Sequence, residues 1–361
     1  MDNIEVVEDY TYLGVVFNYD GSFKKAINKQ ISQARKAMFS LLEKSKILKL
    51  PIDLTCDLFD KTVLPVLIYG CEVWGYSDLR DIEIFYRKFL RYLLKTYNFT
   101  PNCMLYGELG VTNIETKVLN RMLSYWAKLK NSKQNKFSAI LCKFMTKSSG
   151  TLDQPFKWIK HVKSTLDKTG FSWVWDAHQF NIESFKMEFK QRCKDIFIQQ
   201  WQADISSNSQ CTSYQLFKDV FKIEKYWSML EPAYAMNIAK FRTRTNHLPV
   251  TRNRFNETLN INCNLCNNDA VGNELHYLFT CKFFSSSRDK LMPRKSYITR
   301  NTSSCFELFQ QNEQGLKNLS KFVKQIMENF KCEATKTKPI SKLNVISRTG
   351  RKIIPPCKLD L

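Results

Sequence analysis

The chain has 361 residues, 43% of them hydrophobic with 26 Phe, which excludes a wholly disordered polymer and leaves room for more than one core. Its 55 Lys and Arg stand against 34 Asp and Glu, a formal charge of +21, so the expected partner is a polyanion: RNA or DNA first, an anionic membrane surface second. The acidic N-terminus shows no signal peptide, and the longest apolar stretch, near 63–76, is interrupted by Glu72 and short for a bilayer span, which excludes a membrane-spanning class. With no sign of secretion, the cysteines scattered outside residues 263–281 read as reduced thiols, and an intracellular protein, nuclear or cytoplasmic, is expected.

Residues 10–17, Tyr-Thr-Tyr-Leu-Gly-Val-Val-Phe, are β-rich, and the run closes at Asp20-Gly21, which predicts a short hairpin over 1–22. Two strands are too few to stand alone, so the hairpin reads as the last piece of a larger sheet. From 23 to 148 the spacing turns helical, with Ile27, Ile31, Ala34, Met38 and Leu41 on one face of the first helix. A second helix begins after Pro51 and is kinked or ended by Pro65, a third covers Ile82 to Tyr97, and Thr112-Asn113-Ile114-Glu115 reads as a capping box opening a fourth. Glu72, inside Tyr69-Gly70-Cys71-Glu72-Val73-Trp74-Gly75, is read as a buried acceptor for nearby backbone donors.

Residues 149–180, with Gly150, Pro155, Gly170 and three Trp, read as a linker with packed aromatics. Helices are predicted near 183–204, 213–221 and 229–243, so that 149–255 forms a linker and second helical segment. After about residue 331 eight Lys or Arg face two acids, which predicts a mobile basic tail closing a C-terminal part over 291–361. The fold class expected is therefore mainly α, with an N-terminal β-hairpin, a helical bundle, a second helical segment and a small metal knuckle.

Two stretches carry chemistry. Between 240 and 255 basic residues alternate with Phe, Thr, Asn and His, and Lys240, Arg242, Arg244, Arg252 and Arg254 are predicted to meet phosphates while planar groups stack on unpaired bases. Over 256–290, Cys263, Cys266, His276 and Cys281 stand at intervals of two, nine and four residues. Thiolate and imidazole suit a tetrahedral, borderline-soft ion, and a complete set of four predicts a structural zinc. His276 and Cys281 are expected on a short helix whose Leu275, Leu278 and Phe279 turn toward the support beneath. No Asp-Asp pair, phosphate loop, Gly-x-Ser-x-Gly elbow or His-Glu-x-x-His is present, so no catalytic residue and no small-molecule substrate is assigned.

In order, Tyr12-Leu13-Gly14-Val15 with Asp20-Gly21, then the Tyr69–Gly75 run, then Tyr106-Gly107-Glu108-Leu109-Gly110, the Lys240–Arg254 stretch, and a Cys-Cys-His-Cys set with Glu274 just before its His resemble the region after the polymerase active site of non-LTR (LINE-type) retrotransposon reverse transcriptases. The resemblance spans about residues 8 to 290. It implies the end of a palm at 1–22, a thumb-like bundle at 23–148, and binding of RNA or DNA. The family's Tyr/Phe-x-Asp-Asp lies upstream of the Leu-Gly strand and has no counterpart here, so the resemblance implies a noncatalytic fragment of a 5′-truncated element. The alternatives are a polymerase part that works only when a palm is supplied in trans, and a retained helical scaffold whose knuckle makes protein contacts.

Overall fold

The structure, a computed structural model, describes residues 7–132, 136–148, 156–266, 269–294 and 302–336. The chain is mainly helical, at 68%, with one two-stranded antiparallel sheet among the described residues. It divides into two compact units made of separated segments. The first comprises Met1–Leu50, Leu54–Phe89 and Thr112–Gln202; the second comprises Pro51–Asp53, Leu90–Val111 and Ala203–Leu361. These two units are interleaved along the chain, whereas the sequence suggested contiguous segments.

In the first unit, β1 (Asp9–Tyr12) pairs with β2 (Val15–Asn18), Tyr12 opposite Val15. The hairpin turns at Leu13-Gly14, both at positive φ (47° and 84°), the twist-matched geometry of a two-residue loop. Asp20-Gly21 lies beyond β2 and leads instead into the Lys24–Ile47 helix. Val15 and the Leu13 carbonyl meet the Tyr69-Gly70 corner: the Tyr69 hydroxyl donates to Leu13 O at 2.8 Å, and a Cβ at Gly70 would lie 2.7 Å from Val15 Cγ2. Gly70 itself sits at φ +71°, so this corner requires glycine for both space and conformation.

The second predicted helix is a chain of shorter pieces, Ile52–Leu58, a π-helical turn at Phe59–Val63, and Leu64–Leu67 with Pro65 in its first turn. Pro65 has no N–H to give, so the break falls just before it. Phe59 stacks on Phe89 with centroids 4.0 Å apart. The helix at Ile114–Lys130 starts one residue later than the capping box suggests: Asn113 is the cap, its Oδ1 accepting from the Thr116 N–H at 3.1 Å, while Ile114 N–H is held by Glu83 at 2.8 Å. Glu72 is only half-buried and faces Arg121 at 3.9 Å rather than backbone donors.

The supposed linker is largely core. Lys157–Thr169 and Ser172–Asp176 are helices whose Ile159, Val162, Leu166 and Val174 pack with Trp126, Phe185 and Phe189. Trp175 stacks on Trp126 at 6.0 Å, and Trp158 donates its indole N–H to Glu72 O at 2.8 Å. Gly170 and the local Trp density suggested irregular chain, whereas Gly170 terminates a helix at φ +82°, Trp158 and Trp175 are half-buried, and Trp173 is exposed. Truncating a fully enclosed ring such as Phe189 costs about 3–5 kcal/mol in sites of this kind.

In the second unit, Asn102–Leu109 is buried at every position from 103 to 109, Glu108 included. Gly110 ends it at φ +62°, and a Cβ there would lie 2.3 Å from the Ile223 nitrogen, so no other residue fits. The Pro232–Arg242 helix packs along Glu313–Lys336, where Ser320 Oγ donates to Tyr234 O at 2.9 Å. Where a mobile tail was expected from about 331, helix runs to Lys336; the rest of that stretch, 337–361, lies outside the described residues. No helix among the described residues is long and apolar enough to cross a membrane.

Candidate metal centre and its basic surroundings

Cys263 and Cys266 lie on a turn whose ends are tied together. Cys263 N–H donates to Ala270 O and Gly272 N–H to Ile261 O, both at 2.8 Å, around an isolated Asn262–Val271 bridge. His276 follows the Asn273 side chain, which accepts from His276 N–H at 2.9 Å and so starts a π-helical turn, His276–Thr280, with Cys281 closing it. The wider turn changes which residues face inward. Tyr277 and Leu278 are enclosed, with Tyr277 against Phe330 at 4.9 Å, while Leu275 and Phe279 are only half-buried.

One ligand atom from each of Cys263, Cys266, His276 and Cys281 falls within 4.8 Å of the other three. Cys263 Sγ and Cys281 Sγ are 3.9 Å apart, and Cys266 Sγ and His276 Nε2 are 3.5 Å apart. Metal–ligand bonds of about 2.0–2.3 Å in tetrahedral array demand edges of roughly this length. His276 Nδ1 is 2.9 Å from Thr280 Oγ1, which fixes the ring with Nε2 toward the sulfurs. Arg288 donates to the Leu278, Tyr277 and Cys281 carbonyls at 2.7, 3.2 and 2.9 Å, closing the end of the turn. The donor set and its geometry fit a metal ion held by four protein ligands.

The basic stretch divides sharply. Arg242 has no exposed surface, and its Nε and Nη2 reach Glu108 at 2.9 Å and Glu224 at 3.0 Å. Lys218, also buried, adds a 2.6 Å contact to Glu224, and the Tyr226 hydroxyl donates to Glu108. The guanidinium carbon lies 4.7 Å from the Phe309 ring centre. Burial opposes charge on Arg242, but Glu108 and Glu224 more than offset it and hold its proton. Arg244, at φ +54°, occupies the left-handed position that ends the Pro232–Arg242 helix, with Thr245 N–H bonded back to Lys240 O at 2.8 Å. Its side chain turns inward to Glu274 at 3.3 Å and to Ser213 Oγ at 3.2 Å. Arg242 and Arg244 are therefore internal ion-pair partners, contrary to the expectation that they meet phosphate, because desolvated carboxylates lie opposite them.

Of the other three, Lys240 lines a surface cleft, Arg252 is half-buried, and half-buried Arg254 bonds Gln210 and stands 5.0 Å above the Phe99 ring. Sequence reasoning passed over Glu108 and Glu224 as partners. The one signal for Glu108 was a lone carboxylate in an otherwise apolar helix. No protein-family model, curated protein or solved structure matches the chain.

Proposed function

We propose that the protein binds RNA or DNA as a noncatalytic module whose C-terminal part is stabilised by one structural zinc, in the manner of the region after the polymerase site in LINE-type reverse transcriptases. Zinc is the ion favoured by three thiolates and one imidazole in a closed tetrahedral set. The observation that carries the polyanion reading is how the interior treats charge. Buried Lys218, Arg242 and Arg244 face buried Glu108, Glu224 and Glu274, and buried Arg288 binds backbone carbonyls, so among the described residues burial accounts for almost none of the positive excess. Uncompensated positive charge at the surface is what counterion release converts into affinity for phosphates.

A salt series tests it. Labelled single-stranded RNA and DNA titrated with the zinc-loaded chain should lose about tenfold in affinity between 50 and 200 mM salt if some three phosphates are contacted. Absence of binding, or binding indifferent to salt, overturns the reading. A protein-contact scaffold is the second reading, favoured by an apolar cleft of about 370 Å³ in the first unit, lined by Phe23, Val73, Tyr76, Leu141 and Trp158 beside exposed Phe137 and Phe144.

A further inference from the structure

Within the second unit, a cleft of about 200 Å³ is lined by Lys95, Lys240, Lys324 and Lys331 against a single carboxylate, Glu328. Glu328 lies 3.7 Å from Lys324 and so is already committed. None of the ammonium groups of Lys95, Lys240 and Lys331 has a carboxylate or hydrogen-bond partner among the described residues. Half-buried Lys240 has its pKa pushed down by burial and then by Lys95 and Lys331, and His247, on the same wall, is pushed down by burial, Lys331 and Arg252. Four lysines gathered in a recess with one carboxylate, itself paired to Lys324, are an arrangement a bound anion would relieve.

Beside the cleft stands an aromatic cluster. Tyr97, which also lines the cleft, stacks on Phe99 with centroids 4.9 Å apart. Phe255 meets Phe99 edge-on at 4.6 Å and Tyr97 at 6.2 Å, yet remains 58% exposed, which leaves ring surface uncovered. A base needs an open ring face and a phosphate needs adjacent donors; here the two adjoin through Tyr97.

We propose that this corner seats one nucleotide step of single-stranded nucleic acid, with a phosphate among Lys95, Lys240 and Lys331 and a neighbouring base on Phe255. A duplex would keep its bases paired and away from the ring, so unpaired strands are the substrate class. The proposal rests on the nucleic-acid reading above and adds to it the place and the strandedness.

The test is fluorescence anisotropy with a labelled 12-nucleotide oligo(dT) and the full, zinc-loaded chain, across a salt series, for the native protein, the double variant Lys240→Ala/Lys331→Ala, and Phe255→Ala. Loss of this one phosphate contact should reduce the logarithmic salt slope by about 0.7, so the double variant should flatten it by about 0.7 and weaken low-salt binding about tenfold. Loss of a stacked base should weaken binding about fivefold or more for Phe255→Ala while leaving the slope unchanged. Urea midpoints accompany every titration, because lysines that only compensate helix ends would change stability and not binding. Native protein that binds, with variants that bind equally well, overturns this placement and leaves the general function standing. A blunt duplex of equal length that binds as tightly as the single strand overturns the strandedness. Native protein that does not bind overturns both the placement and the general reading.

Discussion

Arg244 Nε meets Glu274 Oε2 at 3.3 Å across 30 positions of sequence, and Glu274, with no exposed surface, stands two residues ahead of the candidate ligand His276. Ser213 Oγ donates to the same carboxylate oxygen at 2.8 Å. The basic stretch and the metal loop thus share a buried polar joint rather than forming separate surface devices.

Removing one side of that joint leaves a charge without its counterpart. Glu274→Ala should destabilise the second unit by about 3–5 kcal/mol, read as a lower urea midpoint with the slope retained. The same change should weaken metal retention by about 10–100-fold, measured by competition with a colorimetric chelator, because it loosens the segment that presents the histidine. Unchanged stability would show that the pair does not form in solution.

Two residues of the same stretch should behave oppositely. Arg242→Ala strands Glu108 and Glu224 in the interior and should cost at least about 3–5 kcal/mol, whereas Lys240→Ala, in the cleft, should stay within about 0.5 kcal/mol. Chemical denaturation of both variants checks the contrast, and equal effects would contradict the placement of Arg242.

Metal removal should be local. One zinc per chain is expected after purification under reducing conditions, and Cys281→Ser should lower that content. Chelation should raise hydrogen exchange across 260–285 while helices of the first unit keep their protection, since small metal modules fold with their ion. A metal content near zero, unaltered by the substitution, would refute the site.

Acid should attack the second unit through Glu224. Burial pushes its carboxyl up, but Arg242 and Lys218 together pull it further down, to below the ordinary 4.5. A group whose folded pKa is depressed contributes stability that is complete above the unfolded value and lost as pH falls through the folded one. Stability should therefore begin to decline as pH drops below about 4.5 and continue to fall through the lower folded value, and a Glu224→Gln variant should show a shallower decline. Urea midpoints between pH 6 and 3 measure it.

The Cys-Cys-His-Cys cluster was legible because its four residues lie within 19 positions and their chemistry is rare in this chain. The Lys24–Ile47, Arg80–Leu94 and Ile114–Lys130 helices were legible from apolar spacing, since each buries one face, whereas Asn102–Leu109, buried all round, gave no such signal. The Arg242 pairing was not, because a guanidinium next to Lys240 and Thr243 looks solvated until Glu108, 134 positions away, is brought to it. The helices at 157–176 were hidden for the converse reason: Gly170 and Trp173 signal irregular chain locally, and only Trp126 and Phe185 make the segment core. Turn chemistry was misplaced at Asp20-Gly21 because Leu13-Gly14 puts a non-glycine residue at positive φ, which residue preference disfavours.

The interleaving of the two units has a consequence for synthesis on the ribosome. Glu108 emerges early, but its cation at 242 appears only after the whole 112–202 insertion has been made. The second unit therefore closes a long loop late, and until then the helix at 102–109 has its apolar surface and its carboxylate waiting for partners. No single cut in the chain separates the two units, so a C-terminal fragment beginning near 203 would carry the metal loop and Arg242 but lack Glu108, and such a piece should be dependent on residues 90–111, supplied as a separate peptide, to become cooperative in unfolding.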